Sequence, residues 1–136
     1  MTPAAGQALV LIVDDEPDVV TYLKTLLEDN GYRTLSATDG ERGLELARKC
    51  NPQLICLDIS MPAPSGVRVY RELRGDPGLA AIPVVMVTGV PRQFEDFISR
   101  RRQVPPPDGY IAKPFDPEEL LALVGRLLAA RPARVH

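Results

Sequence analysis

The sequence predicts an α/β domain built on a doubly wound, five-stranded parallel sheet of order 2-1-3-4-5, with helices on both faces. Short apolar runs typical of strands alternate with segments of helical periodicity along the chain. One run, Leu54–Leu57, is apolar at every position, as expected for a parallel strand covered on both faces. The chain has 136 residues, enough for one domain with a real core. Sequential βα units with right-handed crossovers then give the doubly wound sheet.

The first half of the chain is expected to hold two βα units. The run Leu9–Val13 predicts strand one, and Tyr32–Ala37 predicts strand two. Helix one is expected to begin near Pro17, since proline is favoured in a first turn, and to end at Asn30-Gly31. Helix two is expected over Gly40–Cys50. Helix one shows apolar residues at helical spacing: Val20, Leu23, Leu26 and Leu27.

The second half continues the alternation. Strand three is the apolar run Leu54–Leu57, helix three follows Gly66, and strand four is Pro83–Val87. Strand five is expected at Tyr110–Ala112 and helix five at Pro117–Ala130. Helix five has a continuous apolar stripe: Leu120, Leu123, Val124, Leu127 and Leu128. The domain is therefore expected over residues 8–130, between a flexible N-terminus (1–7) and a flexible tail (131–136).

The fourth helix rests on the helical spacing of three apolar residues, Phe94, Phe97 and Ile98. The run Arg100–Arg102 and then Pro105–Pro107 follow them, and three consecutive prolines cannot continue a helix. The sequence therefore leaves the conformation of residues 99–108 open.

Composition excludes several classes of function. The net charge is −2, with 16 basic and 18 acidic residues, so no global field attracts nucleic acid or an anionic membrane. The apolar stretch Ala8–Val13 is too short to span a bilayer and lacks the flanks of a signal peptide. Cys50 and Cys56 do not form a CxxC pair, so they are interpreted as structural or incidental thiols. A cytoplasmic protein without direct contact to nucleic acid or membrane is expected.

Five residues that carry chemistry each follow one of the predicted strands: Asp14, Asp15, Asp58, Thr88 and Lys113. The carboxyl ends of parallel strands share one edge of the sheet, where ligands bind in this class of fold. Carboxylates suit Mg²⁺, and a carboxylate such as Asp58 can act as a nucleophile toward phosphorus. Lys113 and Thr88 could contact phosphoryl oxygens. The sequence thus indicates a magnesium-dependent phosphoryl site.

Each of these residues also has an ordinary structural interpretation. Asp14 and Asp15 could cap helix one, and Thr88 could cap helix four. Lys113 could lie on the surface, and Tyr110 could be a core residue. Five such groups in order along one edge are nevertheless an improbable coincidence. The only histidine is terminal, which argues against histidine chemistry.

The ordered set resembles the receiver domain of two-component response regulators, over about Leu9 to Leu128. Asp14-Asp15 are similar to the acidic pair of that family, and Leu-Asp-Ile-Ser-Met-Pro around Asp58 to its phosphoacceptor motif. Thr88-Gly89 resemble its switch Thr/Ser and small neighbour, and Tyr110 its switch aromatic residue. Lys113-Pro114-Phe115 resemble its Lys-Pro motif. The fold implied is flavodoxin-like.

The resemblance implies a signalling switch and not an enzyme, apart from self-catalysed phosphoryl acceptance and dephosphorylation. Asp58 would be phosphorylated by a histidine kinase or histidine phosphotransfer protein, with Mg²⁺ held at Asp14, Asp15, Asp58 and Ser60. Thr88 and Tyr110 would relay the change to the surface of helix four, strand five and helix five, which an unknown downstream protein would read. The family also implies a cis Lys113-Pro114 bond.

Two other functions remain open at this point. One is an aspartyl-phosphate phosphatase of the haloacid dehalogenase type, although that family expects Asp-x-Asp after strand one and this chain has Asp14-Asp15-Glu16. The other is an interaction module that works without phosphorylation. The short stretch after helix five suggests a stand-alone receiver or one cut from a longer protein. The segment before strand five, Gln103–Asp108, departs from the family pattern.

Overall fold

Five parallel strands form one sheet in the order β2-β1-β3-β4-β5 in the computed structural model. The structure describes residues 8–62, 65–88 and 107–130. For Thr88 it describes the backbone alone. The predicted fold class and strand order are confirmed. The predicted fourth helix and the two termini fall outside the described residues. The strands are β1 (Leu9–Val13), β2 (Arg33–Ala37), β3 (Leu54–Leu57), β4 (Val84–Thr88) and β5 (Gly109–Ala112).

Four helices are described: α1 (Pro17–Asp29), α2 (Gly40–Cys50), α3 (Gly66–Gly75) and α4 (Pro117–Ala129), the last being the fifth helix of the sequence prediction. The expected helix stop after α1 is confirmed, with Gly31 at a φ of 95°, a region that glycine adopts without steric cost. The side chains of Asp39, Ser65 and Asp116 accept N–H groups at the starts of α2, α3 and α4. None of the described helices is long and apolar enough to cross a membrane.

Predicted and observed strands differ by one residue at most. β4 spans Val84–Thr88 instead of Pro83–Val87. Pro83 has no N–H group for the ladder, but its carbonyl accepts the N–H of Ile55 at 3.0 Å. Pro83 can therefore accept a hydrogen bond from β3 but cannot donate one, and the regular pairing of β4 begins one residue later.

The side chains of the sheet alternate between two apolar layers, as successive strand residues must. In β1, Leu11 and Val13 pack on the side of α2 and α3, and Val10 and Ile12 on the side of α1 and α4. Of the two cysteines, Cys56 is buried in the layer on the side of α1 and α4, and Cys50 is exposed. Both thiols are free. Because both faces are covered, the strand ends are the places where polar side chains can gather.

Strand register brings the predicted site residues together. Val13 pairs with Leu57, so Asp14 and Asp58 follow neighbouring positions at one edge. Leu57 in turn pairs with Met86, two residues before the end of β4. Thr88 pairs with Ala112, after which the chain continues to Lys113. The loops after β1, β3 and β5 therefore open onto the same crevice.

A nearly buried arginine lies at the other end of the sheet. Arg74, in the last turn of α3, has a side chain that is only 9% exposed. Its guanidinium lies 4.9 Å from the centre of the Tyr70 ring. It donates to Tyr70 Oη at 3.1 Å, Ala80 O at 3.1 Å, Ile82 O at 2.8 Å and Asp108 Oδ2 at 2.7 Å. Asp108 Oδ2 also accepts the N–H of Val84. Arg74 therefore ties α3 to the starts of β4 and β5.

Arg74→Met should lower the free energy of unfolding by about 2–3 kcal/mol, because the carbonyls of Ala80 and Ile82 lose this donor and Asp108 loses its ion pair. Urea denaturation measures this loss. The matched control is Arg68→Met in the same helix, where an exposed pair with Glu72 contributes at most about 0.5 kcal/mol. Equal losses in the two variants would contradict the role given to Arg74.

Candidate functional site

Two buried carboxylates begin the site. Asp14 is 1% exposed and Asp58 2% exposed, each directly after its strand. Their backbones continue the sheet: Asp14 N–H donates to Ala37 O at 3.1 Å and Asp58 N–H to Val13 O at 2.9 Å. Asp14 does not cap α1, since the cap residue is Glu16, whose N–H donates to Asp14 Oδ1 at 2.9 Å. The ladder thus fixes both acids at the crevice.

Three carboxylates converge closely enough to share a cation. Oxygen atoms of Asp14, Asp15 and Asp58 lie within 4.8 Å of one another. Asp14 Oδ2 is buried and has no hydrogen-bond donor of good geometry among the described residues, although the Lys113 ammonium lies 3.1 Å away. Mg²⁺ takes oxygen ligands and commonly one or two carboxylates with water completing its shell. The three residues therefore fit the ion.

Ser60, the fourth residue predicted at the metal, lies beside Asp58 with its N–H donating to Asp58 Oδ1 at 3.0 Å. Its side chain is exposed. This contact holds one carboxylate oxygen of Asp58 in place and leaves Oδ2 directed to the rest of the site. A role for Ser60 as a metal ligand stays a prediction.

Lys113 reaches into the group of acids from the end of β5. Its ammonium nitrogen lies 3.0 Å from Glu16 Oε1, 3.1 Å from Asp14 Oδ2 and 3.6 Å from Asp58 Oδ2. The side chain is 20% exposed, so this charge is held largely out of water among acids. The expected cis Lys113-Pro114 bond is confirmed.

Burial and crowding shift the pKa of each of these groups. Burial raises the pKa of Asp58 to about 6, and the charge of Asp14 adds to this, while the Ser60 N–H and Lys113 act in the opposite direction. Burial also raises the pKa of Asp14 above its ordinary value. Burial lowers the pKa of Lys113, but the hydrogen bond to Glu16 and the nearby Asp14 carboxylate outweigh this effect, so the net shift of the pKa is upward. A cation in the crevice would favour the ionised carboxylates.

The two predicted switch residues lie on neighbouring strands. Thr88 ends β4, and its backbone pairs with Ala112 of β5. Tyr110 of β5 is partly buried against the apolar layer beneath α2 and α3. Tyr110 therefore lies on the α2–α3 face of the sheet, and its role as a switch stays a prediction.

Two residues at the site were missed by reasoning from sequence. Glu16 pairs with Lys113, and the run of three acids Asp14-Asp15-Glu16 was the available signal. Gly66 begins α3 so close to the backbone of Asp58 and Ile59 that a Cβ atom there would collide with the Asp58 carbonyl oxygen. In the sequence, this close approach is indicated only by the position of Gly66, just before an amphipathic helix.

Comparison with known families agrees with this geometry. The sequence model of the family described as response regulator receiver domain matches residues 10–125. This chain belongs to that family. The receiver domain is similar to protein Rrf1 of Nitratidesulfovibrio vulgaris, at 38% identity over 90% of this chain and 83% of that protein. It is similar to protein PilH of Pseudomonas aeruginosa, at 35% identity over 90% of this chain and 98% of that protein.

A solved structure extends the likeness to three dimensions. The response regulator protein TrrA of Thermotoga maritima, crystallised in complex with Mg²⁺-BeF, matches this receiver domain with a TM-score of 0.77 and 32% identity, over 88% of this chain and 98% of that chain. Receiver domains are signalling switches of two-component systems and not enzymes in the ordinary sense. The haloacid dehalogenase alternative is disfavoured, because this receiver domain lacks the Asp-x-Asp pair that it needs.

Mg²⁺ should stabilise this receiver domain, because an ion held by the three clustered acids would bind the folded protein and not the unfolded chain. At about 100 times its dissociation constant the gain is about 2.7 kcal/mol, which raises Tm by roughly 10 °C. Thermal unfolding with MgCl₂, against NaCl of equal ionic strength, measures this. Asp15→Asn should lose most of the shift and Asp18→Asn, an exposed carboxylate of α1, should keep it. An unchanged Tm at millimolar Mg²⁺ would contradict the metal site.

Proposed function

We propose that the protein is a phosphorylation-dependent switch whose phosphoryl acceptor is Asp58, with Mg²⁺ held by Asp14, Asp15 and Asp58. The observation that carries this proposal is the position of the Lys113 ammonium, 3.6 Å from Asp58 Oδ2 and 3.1 Å from Asp14 Oδ2. A buried carboxylate beside further acids and one ammonium is unfavourable as a purely structural arrangement. It suits a site that receives a dianionic phosphoryl group with a divalent cation.

In the proposed reaction an oxygen of Asp58 attacks the phosphorus of a donor. A bond forms between that oxygen and phosphorus while the bond from phosphorus to the leaving atom breaks, and its electron pair departs with the donor. For a histidine kinase or phosphotransfer protein the leaving atom is an imidazole nitrogen. Lys113 would neutralise the phosphoryl oxygens and Thr88 would hydrogen-bond to them, and Mg²⁺ held by the three acids would supply the remaining positive charge.

The attacking carboxylate must be ionised, and its pKa of about 6 keeps it mostly so at neutral pH. The Ser60 N–H holds the other oxygen of Asp58, so one lone-pair-bearing atom is presented to the phosphorus. Later attack of water on phosphorus returns the free Asp58 and inorganic phosphate, so dephosphorylation needs no separate active site. Self-catalysed acceptance and loss of the group are thus part of the proposal.

The phosphoryl group is proposed to act through Thr88 and Tyr110 on the surface that includes β5 and α4. Thr88 and Tyr110 lie on the paired strands β4 and β5, so a displacement of the end of one strand would displace the other through their hydrogen bonds. A downstream protein would read that surface. We also propose a cytoplasmic location, where the chain would meet its phosphoryl donor.

Incubation with Mg²⁺ and acetyl phosphate, followed by intact mass, tests the proposal. The wild-type chain should gain one phosphoryl group, and a chelator should abolish the gain. An unmodified mass in a folded, Mg²⁺-saturated sample would instead favour the interaction module that works without phosphorylation.

A further inference from the structure

The Lys113 ammonium lies among the same carboxylates that would hold the metal ion. Asp14 Oδ2 and Asp58 Oδ2 are 3.1 Å and 3.6 Å from its nitrogen, and both residues belong to the group of three acids. An ammonium and a divalent cation a few ångströms apart repel each other strongly in a site shielded from water. Lys113 and Mg²⁺ therefore compete for these oxygens.

Glu16 offers the ammonium a place outside that group. Its Oε1 accepts a hydrogen bond from Lys113 Nζ at 3.0 Å, the shortest of the three contacts. The Glu16 side chain is 60% exposed, so it can follow the ammonium toward solvent while staying hydrated. Glu16 is the cap residue of α1 but makes no side-chain capping bond, which leaves its carboxylate available for Lys113.

We propose that Glu16 is a positioning residue for Lys113: it holds the ammonium at the rim of the crevice when Mg²⁺ occupies the carboxylates. Glu16 thereby makes Mg²⁺ binding more favourable. It also keeps Lys113 within reach of the phosphoryl group that is transferred after the metal has bound. This inference rests on the proposed function, since it concerns the same metal and the same lysine. It adds a residue that acts through Lys113 and not on the ion itself.

The test is a double-mutant cycle on Mg²⁺ affinity, measured by isothermal titration calorimetry at fixed pH and ionic strength without any phosphoryl donor. The four proteins are wild type, Glu16→Gln, Lys113→Met and the double variant. Glu16→Gln should weaken Mg²⁺ binding about threefold to fivefold, the range of a partly exposed ion pair. Lys113→Met should tighten it, because the competing cation is gone.

The decisive comparison is Glu16→Gln in the Lys113→Met background, where it should change Mg²⁺ affinity by less than about twofold. Asp18→Asn, which removes another exposed acid from the start of α1, is the charge-matched control and should act equally with or without Lys113. The same weakening by Glu16→Gln in both backgrounds would overturn the proposal, as it would mean that Glu16 acts by its charge alone. No weakening in either background would also overturn it.

The cycle separates this inference from the function on which it rests. Wild-type protein that binds no Mg²⁺ at all would contradict the metal site and with it the proposed function. Wild-type protein that binds Mg²⁺ but shows no coupling between Glu16 and Lys113 would contradict only the inference.

Discussion

Asp58→Asn should abolish phosphorylation by a small phosphoryl donor while leaving the fold intact. The amide cannot serve as the carboxylate nucleophile, so no acyl phosphate forms. Its oxygen still accepts the Ser60 N–H, so the local backbone keeps its support. Intact mass after incubation with Mg²⁺ and acetyl phosphate measures the result. A full phosphoryl gain in Asp58→Asn would place the acceptor on another residue.

The same substitution should stabilise the metal-free protein. Burial and the charge of Asp14 raise the pKa of Asp58 from 3.8 to about 6, which shows that its ionised form is disfavoured in the folded state. A rise of that size sets an upper limit of about 3 kcal/mol on the gain at neutral pH. The pKa of about 6 already includes the contact with Lys113, but the amide group of asparagine is itself buried there and needs its own hydrogen-bond partners, so we expect about 1–2 kcal/mol.

The pH dependence has a definite sign. Since the pKa of Asp58 is higher in the folded than in the unfolded state, the folded protein binds more protons between those two values. The free energy of unfolding of the chelated wild type should therefore fall as pH rises from about 4 toward 7. Asp58→Asn should show a smaller fall, with the remainder due to Asp14, whose pKa is also raised.

Urea denaturation in chelator at about pH 5 and about pH 7.5 distinguishes this explanation from a general effect of net charge. Asp18→Asn removes an equal charge from an exposed position, and we expect no stabilisation from it. If Asp58→Asn unfolds more easily than wild type at neutral pH in chelator, the electrostatic conflict in the crevice is absent.

The sheet and most of the site could be predicted because both depend on local patterns. Apolar runs define the strands, and the residue after each run necessarily lies at the carboxyl edge. Asp14 and Asp58 come together through the pairing of Val13 with Leu57, and the predicted strand order already places β1 beside β3. Lys113 follows β5 in the same way. Site residues at strand ends can therefore be predicted from the sequence.

Contacts that depend on side-chain reach could not be predicted in this way. Glu16 lies one residue outside the acidic pair, and its contact with Lys113 spans 97 residues. In the sequence, nothing distinguishes Arg74 from an exposed helix arginine. Only the fold brings its guanidinium to Ala80, Ile82 and Asp108. Both depend on how loops approach one another in space, which spacing along the chain does not encode.

Gly66→Ala should destabilise the protein and disturb the phosphorylation site together. A Cβ atom at Gly66 would lie 2.8 Å from the Asp58 carbonyl carbon and closer still to its oxygen, and these are backbone atoms with little freedom to yield. The start of α3 must then move away from the end of β3. Forced overpacking of this kind costs about 1–3 kcal/mol, and contacts with backbone place it at the upper end.

The disturbance should extend to the metal site, because the Asp58 backbone fixes the carboxylate that Ser60 supports. Gly66→Ala should therefore weaken Mg²⁺ binding and slow phosphorylation, in addition to lowering the urea midpoint. The matched control is Gly75→Ala at the other end of α3, where a Cβ atom would meet nothing within 4 Å. There the gain in helix propensity should stabilise the protein by up to about 1 kcal/mol. Because both variants make the same chemical change in one helix, their opposite signs would isolate the close approach of α3 to Asp58, and equal stabilities would show that this approach does not constrain position 66.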